Sequence, residues 1–177
     1  MQTLEQQMSF YAAYHQDARN KATHFVGVPM NIFGLFIALG WARLELGGVT
    51  LTAAVLFAVM VMVWYFLLDV ALALAMLVTN AVLLYLADMV SLQPIGVGAL
   101  WFLVFFGGGW VIQLVGHVYE GRKPALVDNF FQIFVAPIFL AAEVFFALGY
   151  KPALHAAVQK RALEMRAAAG FGARAPA

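Results

Sequence analysis

The chain contains no cysteine and carries little charge. The first absence excludes disulfides, thiolate metal sites and thiol nucleophiles together, and leaves no trace of the redox state of its compartment. The second is a matter of proportion: 11% of the 177 residues are charged and 64% are hydrophobic, against about 25% charged in an ordinary soluble domain. Such a surface does not stay in water. A net charge of +1 provides no concentrated basic surface, so a nucleic-acid partner is excluded. No HExxH, GxSxG or nucleotide signature is present. "FFGGGW", residues 105–110, is no phosphate loop, because it sits inside an apolar run without the lysine and hydroxyl such loops need. Close helix packing is the expected use of those glycines.

What is present in quantity is apolar runs of bilayer length, since about 20 residues at about 1.5 Å each span the hydrocarbon. The start, "MQTLEQQMSFYAAYHQDARN", has no basic-then-apolar leader with a small-residue cleavage site, so the first span is expected to act as the insertion signal. Residues 2–24 read as a surface helix with Leu4, Met8, Tyr11 and His15 spaced for one face. Spans are expected at about 25–46, closed by Gly47 and Gly48, and at about 49–68, 70–87 and 95–115. The second and third come from one run, 49–87, which as a single helix would reach about 58 Å, so a hairpin must interrupt it. Asp69, the charge near its middle, marks the turn. A last apolar segment, 130–148, contains Pro137 and is expected to be kinked or re-entrant. In the basic tail, 151–177, Leu154, Val158, Ala162 and Met165 share one face, with Lys160, Arg161 and Arg166 off it.

The fold class expected is thus an all-α integral membrane protein in a single membrane domain, 1–177. It is a bundle of four to five transmembrane helices, with that last segment and with interfacial helices at both ends. Four crossings separate the polar cluster at 14–29 from that at 116–132, and an even number returns the chain to the side it left. His15, His24 and His117 then face one compartment. Arg19, Lys21, Arg122 and Lys123 lie on that side, with Arg43 opposite, which makes it cytoplasmic by the positive-inside rule.

Those clusters hold the chemistry. On one ideal helix His15 and His24, nine positions apart at about 100° each, point in opposite directions. For both to reach one ion, either a break at "ARNKAT" or a metal lodged between the surface helix and the first span is required. Otherwise they are interfacial, hydrogen-bonded histidines. Asn20 and His24 share a face at i, i+4. Gln113, His117 and Glu120 form one stripe at the end of the fourth span. There His117 can ligate a metal while Glu120 is a second ligand or an acceptor that fixes its tautomer, or the two simply bond to each other. Arg122 and Lys123 are positive-inside residues or, given the planar fork of arginine, a seat for a lipid's acid headgroup. Asp128 is placed to cap the last helix, and Asn129 and Gln132 to face the site. Asp69 and Glu143 need partners, because carboxylates in apolar runs are costly. His155 is read as solvated.

"YHQDARNKATHFVGVP" and "GHVYEGRKPALVDNFFQIFVAPIF" resemble the YHxxxxNxxxHxxGxP and GHxxxExxxPAL elements of a small membrane-protein family, the fungal and bacterial 2-hydroxy fatty acid dioxygenases. The likeness runs from about residue 8 to 148 without departure at the motif positions. It implies that His15, His24 and His117 bind Fe(II). It also places Glu120, Asn20 and Asn129 at the remaining polar motif positions, where they are catalytic candidates; Arg122, Lys123 and Gln132, read from their own chemistry and position, are the candidates for binding the substrate. The implied partners are a 2-hydroxy fatty acid, O₂ and the lipid bilayer; the reaction is oxidative loss of the carboxyl carbon, giving an acid one carbon shorter plus CO₂. The resemblance further implies a multi-pass protein of the inner membrane if bacterial or the endoplasmic reticulum if fungal. Two other readings are a haem-binding or transport protein using histidines as axial ligands or gates, and another lipid-modifying metalloenzyme. A two-iron centre of the desaturase kind needs more histidines than the four here.

Overall fold

The structure is a computed structural model that describes residues 2–170; the last seven residues of the expected basic tail lie outside that range. Two compact units divide the chain: one is formed by residues up to His24 and from Leu114 onward, the other by Phe25–Gln113. The elements are helical except for one short hairpin, and they define an all-α membrane protein.

In the first unit, α1 (Leu4–Ala12) starts at a capping box, in which Thr3 and Gln6 each bond the other's backbone amide. Its buried side carries Leu4, Met8, Tyr11 and Ala12, the face the spacing gave. The helix stops there. The expected single helix over 2–24 is two helices, because residues 13–17 turn before α2 (Ala18–Gly40) begins. The first seven residues of α2 belong to this unit.

The second unit takes the rest of α2, which ends six residues earlier than the expected span. Residues 43–52 instead pair as β1 (Arg43–Leu46) and β2 (Val49–Thr52), in register Leu46↔Val49. Gly47 and Gly48 lie between them at φ 57° and 87°, the two positive angles that a tight two-residue hairpin requires. Helices α3 (Ala53–Leu68) and α4 (Val70–Ser91) then form the expected helical hairpin. Asp69 makes the turn in extended backbone: its amide donates to the Tyr65 carbonyl, and its side chain accepts from the Leu72 amide at 3.1 Å. The carboxylate in the apolar run is thus a helix cap. After α5 (Ile95–Phe102) comes a π-helical turn, Leu103–Gly107, and then α6 (Gly108–Glu120).

The core of this unit is Phe33, Phe36, Ile37, Ala54, Ala58 and Ala87. The outer sides of its helices leave Leu56, Met60, Leu67, Leu74, Val78 and Leu100 more than half exposed, as expected where lipid is the solvent. Gly109 is the glycine of "FFGGGW" that packs closely, since a Cβ there would lie 2.1 Å from Asn31 Oδ1 and 2.8 Å from the Gly27 carbonyl oxygen. Among the described residues, three helices are long and apolar enough to cross a membrane: Ala18–Gly40, Val70–Ser91 and the continuous Ile95–Glu120. Ala53–Leu68 and Gln132–Ala147 are shorter apolar helices.

The chain re-enters the first unit at Leu114, within α6. A 3₁₀ turn at Ala125–Val127 leads to α7 (Gln132–Ala147). Pro137 sits inside α7, and the helix continues through it rather than reversing. Its buried residues include Val135, Ile138, Phe139 and Ala142. The last helix, α8 (Pro152–Ala168), packs along α1 and buries Val158, Ala162 and Arg166. An arginine therefore stands where the spacing expected the apolar stripe to continue.

Candidate metal centre

His15 lies in the 13–17 turn, His24 two turns into α2 and His117 near the end of α6, all three buried. Their rings meet. Centroids are 4.5 Å apart for His15 and His24, 5.0 Å for His15 and His117, and 5.1 Å for His24 and His117, with interplanar angles of 78°, 68° and 89°. One nitrogen from each lies within 4.8 Å of the others.

The hydrogen bonds decide the tautomers. His15 Nδ1 lies 2.8 Å from the Tyr11 carbonyl oxygen and His24 Nδ1 lies 2.9 Å from that of Asn20. A carbonyl only accepts, so both Nδ1 atoms carry the proton and donate. Both Nε2 atoms are then bare lone pairs, yet they face each other at 3.2 Å. Protonating one would satisfy the other, but burial, helped by charge on His24, holds the His15 imidazole well below the usual histidine range. His117 adds a buried Nδ1 with no hydrogen-bond partner. Converging lone pairs with an orphaned buried nitrogen beside them call for a cation. Two nitrogens at about 2.1 Å from one ion are about 3.2 Å apart when they subtend about 100°, the separation found. The three imidazoles therefore fit a metal ion, with the rings of His15 and His24 oriented by backbone carbonyls. Tyr11 stacks on His15 at 3.9 Å and 6°, and Phe139 packs on Tyr11 at 4.8 Å.

Glu120 and Asn20, also buried, stand beside this group. Glu120 turns to the backbone of the 13–17 turn: its Oε2 accepts from the amides of Gln16 (3.0 Å) and Asp17 (2.8 Å) and from Asn20 Nδ2 (3.2 Å). Its Oε1 accepts from Arg166 Nη1 at 2.6 Å. Both oxygens are thus engaged by four donors, so Glu120 caps the start of α2 from 104 residues away. Asn20 Nδ2 also donates to the Tyr14 carbonyl at 3.3 Å, and its main-chain carbonyl holds His24.

The other expected site residues are engaged further along. Arg122 donates to the Ala13 carbonyl at 2.7 Å and lies over the Tyr14 ring, while Lys123 pairs with Asp128 at 2.6 Å. Tyr14 donates its hydroxyl to Asp128. Asn129 Oδ1 accepts from the Phe131 amide, a turn bond, and Gln132 is buried against Gln7, to whose Oε1 it donates at 3.2 Å. Glu143 finds a partner in Lys21 at 2.7 Å, and His155 stacks on Phe146 at 4.6 Å rather than standing in solvent. Sequence reasoning put Tyr11 on the face of His15 and Arg166 off the apolar face of the tail but gave neither a part in the site; the i, i+4 spacing could have revealed it for Tyr11, and no local signal exists for Arg166.

Fold and site together define a helical membrane protein with a buried three-histidine group able to hold a metal ion. Comparison with known proteins narrows this. The sequence model of the family described as "2-hydroxy-palmitic acid dioxygenase Mpo1-like" matches residues 1–148. The chain is 32% identical over 161 residues to the 2-hydroxy-palmitic acid dioxygenase MPO1 of Saccharomyces cerevisiae (strain ATCC 204508 / S288c), covering 88% of this chain and 87% of that one. The chain belongs to the Mpo1-like family. No solved structure matches it.

Proposed function

We propose that this protein is an iron(II)-dependent dioxygenase that converts a 2-hydroxy fatty acid and O₂ to the fatty acid one carbon shorter, CO₂ and water. The observation that carries the reading is the pair of Nε2 lone pairs held at 3.2 Å with their Nδ1 protons committed to carbonyls, beside the unpartnered His117 Nδ1. The yeast relative's activity supplies the substrate class. His15, His24 and His117 are the metal ligands. Held by these three neutral imidazoles, Fe(II) would supply the redox chemistry for O₂ to react with the 2-hydroxy acid.

The chain's own residues do the rest. Tyr11 and the Asn20 carbonyl fix two ring orientations, while Glu120 and Asn20 hold the turn that presents His15. Burial keeps water from the ligands. The acid headgroup arrives from the polar, cytoplasmic side, where Arg122 and Lys123 stand. The reaction balances: four electrons pass to O₂, the bond from carbon 1 to carbon 2 breaks, carbon 1 leaves as CO₂ and carbon 2 becomes the new carboxyl.

The test is anaerobic loading of the purified protein with Fe(II), then addition of O₂ and 2-hydroxypalmitate, with mass spectrometry for the shortened acid. Pentadecanoate and CO₂ in equal amounts are expected. Iron retained without turnover of any 2-hydroxy acid refutes the reading.

A further inference from the structure

We propose that Arg166, from the C-terminal helix α8, is a positioning residue of the three-histidine centre, holding Glu120 and the Ala13 carbonyl and through them the turn that presents His15. The proposal rests on the reading that the histidines hold a metal.

The pair Arg166–Glu120 is closed off from solvent, with side chains 5% and 1% exposed and 2.6 Å between Nη1 and Oε1. The same Nη1 lies 3.1 Å from the Ala13 carbonyl oxygen, which also accepts from Arg122. A buried ion pair of this kind contributes little net stability, because desolvating two charges offsets their attraction. Its value is in fixing geometry. Glu120 spends its other oxygen on the Gln16 and Asp17 amides, the two that follow His15 in the chain. Residues 13–17 have neither helix nor strand to hold them. Among the bonds that hold them are those of Ala13 to Arg122 and Arg166 and those of Gln16 and Asp17 to Glu120, so His15 is gripped on both sides. Arg166 touches both grips, since it bonds the Ala13 carbonyl and also Glu120. Remove it and the buried Glu120 carboxylate loses the cation bonded to its Oε1, which loosens its hold on the amides.

The consequence is for ligand geometry. Groups that orient metal ligands without touching the ion are worth about 10–100-fold in metal affinity. Co(II) titration of the full chain in detergent, followed by its visible absorption, reads both affinity and ligand geometry. Arg166→Gln is expected to weaken Co(II) binding about 10–100-fold and to alter the spectrum, with Arg166→Lys recovering part of the affinity. Wild-type affinity and spectrum in Arg166→Gln overturn the proposal while leaving the metal reading intact. Failure of the wild-type chain to bind Co(II) sinks both. Should Arg166→Gln not fold, the double variant Arg166→Met/Glu120→Gln removes both charges and leaves no buried ion unpaired. It is expected to show the same weakening, and wild-type binding by it also overturns the proposal.

Discussion

Gly116 sits one residue before His117, where α6 passes close to the start of α2, and one added methyl there tests whether that approach sets the ligand geometry. A Cβ on Gly116 would lie 2.0 Å from Thr23 Oγ1, 2.6 Å from Asn20 Oδ1 and 3.2 Å from Asn20 Cα. The threonine hydroxyl must retreat by about 1.5 Å to reach ordinary contact. It can rotate, but only by giving up its 2.7 Å bond to the Asn20 carbonyl, a loss of about 1 kcal/mol. The contact with Asn20 Cα is backbone and cannot rotate away, so α2 itself has to give. Overpacking of this kind costs about 1–3 kcal/mol, against which alanine's better helix propensity returns about 1 kcal/mol. The sum is a net destabilisation of about 1–3 kcal/mol. The displaced partner, Asn20, carries the carbonyl that orients His24 and the amide that meets Glu120. Site geometry tolerates about 0.5 Å, so Co(II) affinity is expected to fall at least about tenfold. Denaturant unfolding in detergent and Co(II) titration measure the two effects. Gly96→Ala, within α5 and with a Cβ that meets nothing within 4 Å, is the control: it should leave the affinity unchanged and not lower stability, since only the helix-propensity gain of up to about 1 kcal/mol applies there. A Gly116→Ala protein that unfolds at the wild-type midpoint with wild-type affinity refutes the reasoning.

His15→Ala, His24→Ala and His117→Ala are each expected to abolish stoichiometric metal binding and turnover, read by metal analysis and product mass spectrometry, whereas His155→Ala, on the face stacked with Phe146, should retain both. Stripping the metal with a chelator should lower the unfolding midpoint, because an ion at 100 times its Kd stabilises the folded state by about 2.7 kcal/mol; equal midpoints with and without metal count against the centre. The metal-free protein should lose stability as pH falls below about 6.5. His15 in the folded state takes up its proton well below the ordinary value because it is buried, whereas the unfolded chain is protonated from about 6.5 downward. Stability conferred by the neutral ring is therefore complete above that pH and declines below it, at about 1.4 kcal/mol per pH unit for this proton. A flat stability profile between pH 6.5 and 5 rules that out.

Much of the scaffold was legible because its signals are local. Gly47–Gly48 marks a turn by needing two positive φ angles, and Asp69 marks one by being the lone charge in an apolar run. The site was legible in part. Opposed directions for His15 and His24 on one ideal helix required a break, and the structure has one. It lies at 13–17, ahead of "ARNKAT", and no glycine or proline announces it. The acceptors that let the chain leave the helix there are the Glu120 oxygens, over 100 residues away, and a local reading of propensity has no access to them. The same holds for Glu120 itself. An i, i+3 pair with His117 suggested a ligand or a bond between the two, and the tertiary structure instead assigns both oxygens to the turn and to Arg166.

That assignment has an electrostatic logic. A divalent ion in a buried site binds best where the ligands need no deprotonation and no competing cation is loose nearby. Three neutral imidazoles meet the first condition, since Tyr11 and Asn20 carbonyls already hold the Nδ1 protons of two of them. The second is met by pairing. Arg166 is tied to Glu120, Lys21 to Glu143 and Lys123 to Asp128, so each of these three cations of the unit is held by a carboxylate. What remains uncompensated at the centre is the repulsion between two nitrogen lone pairs at 3.2 Å. A cation converts that repulsion into two bonds, so the arrangement favours a metal over an empty state and explains why folding holds these rings so close.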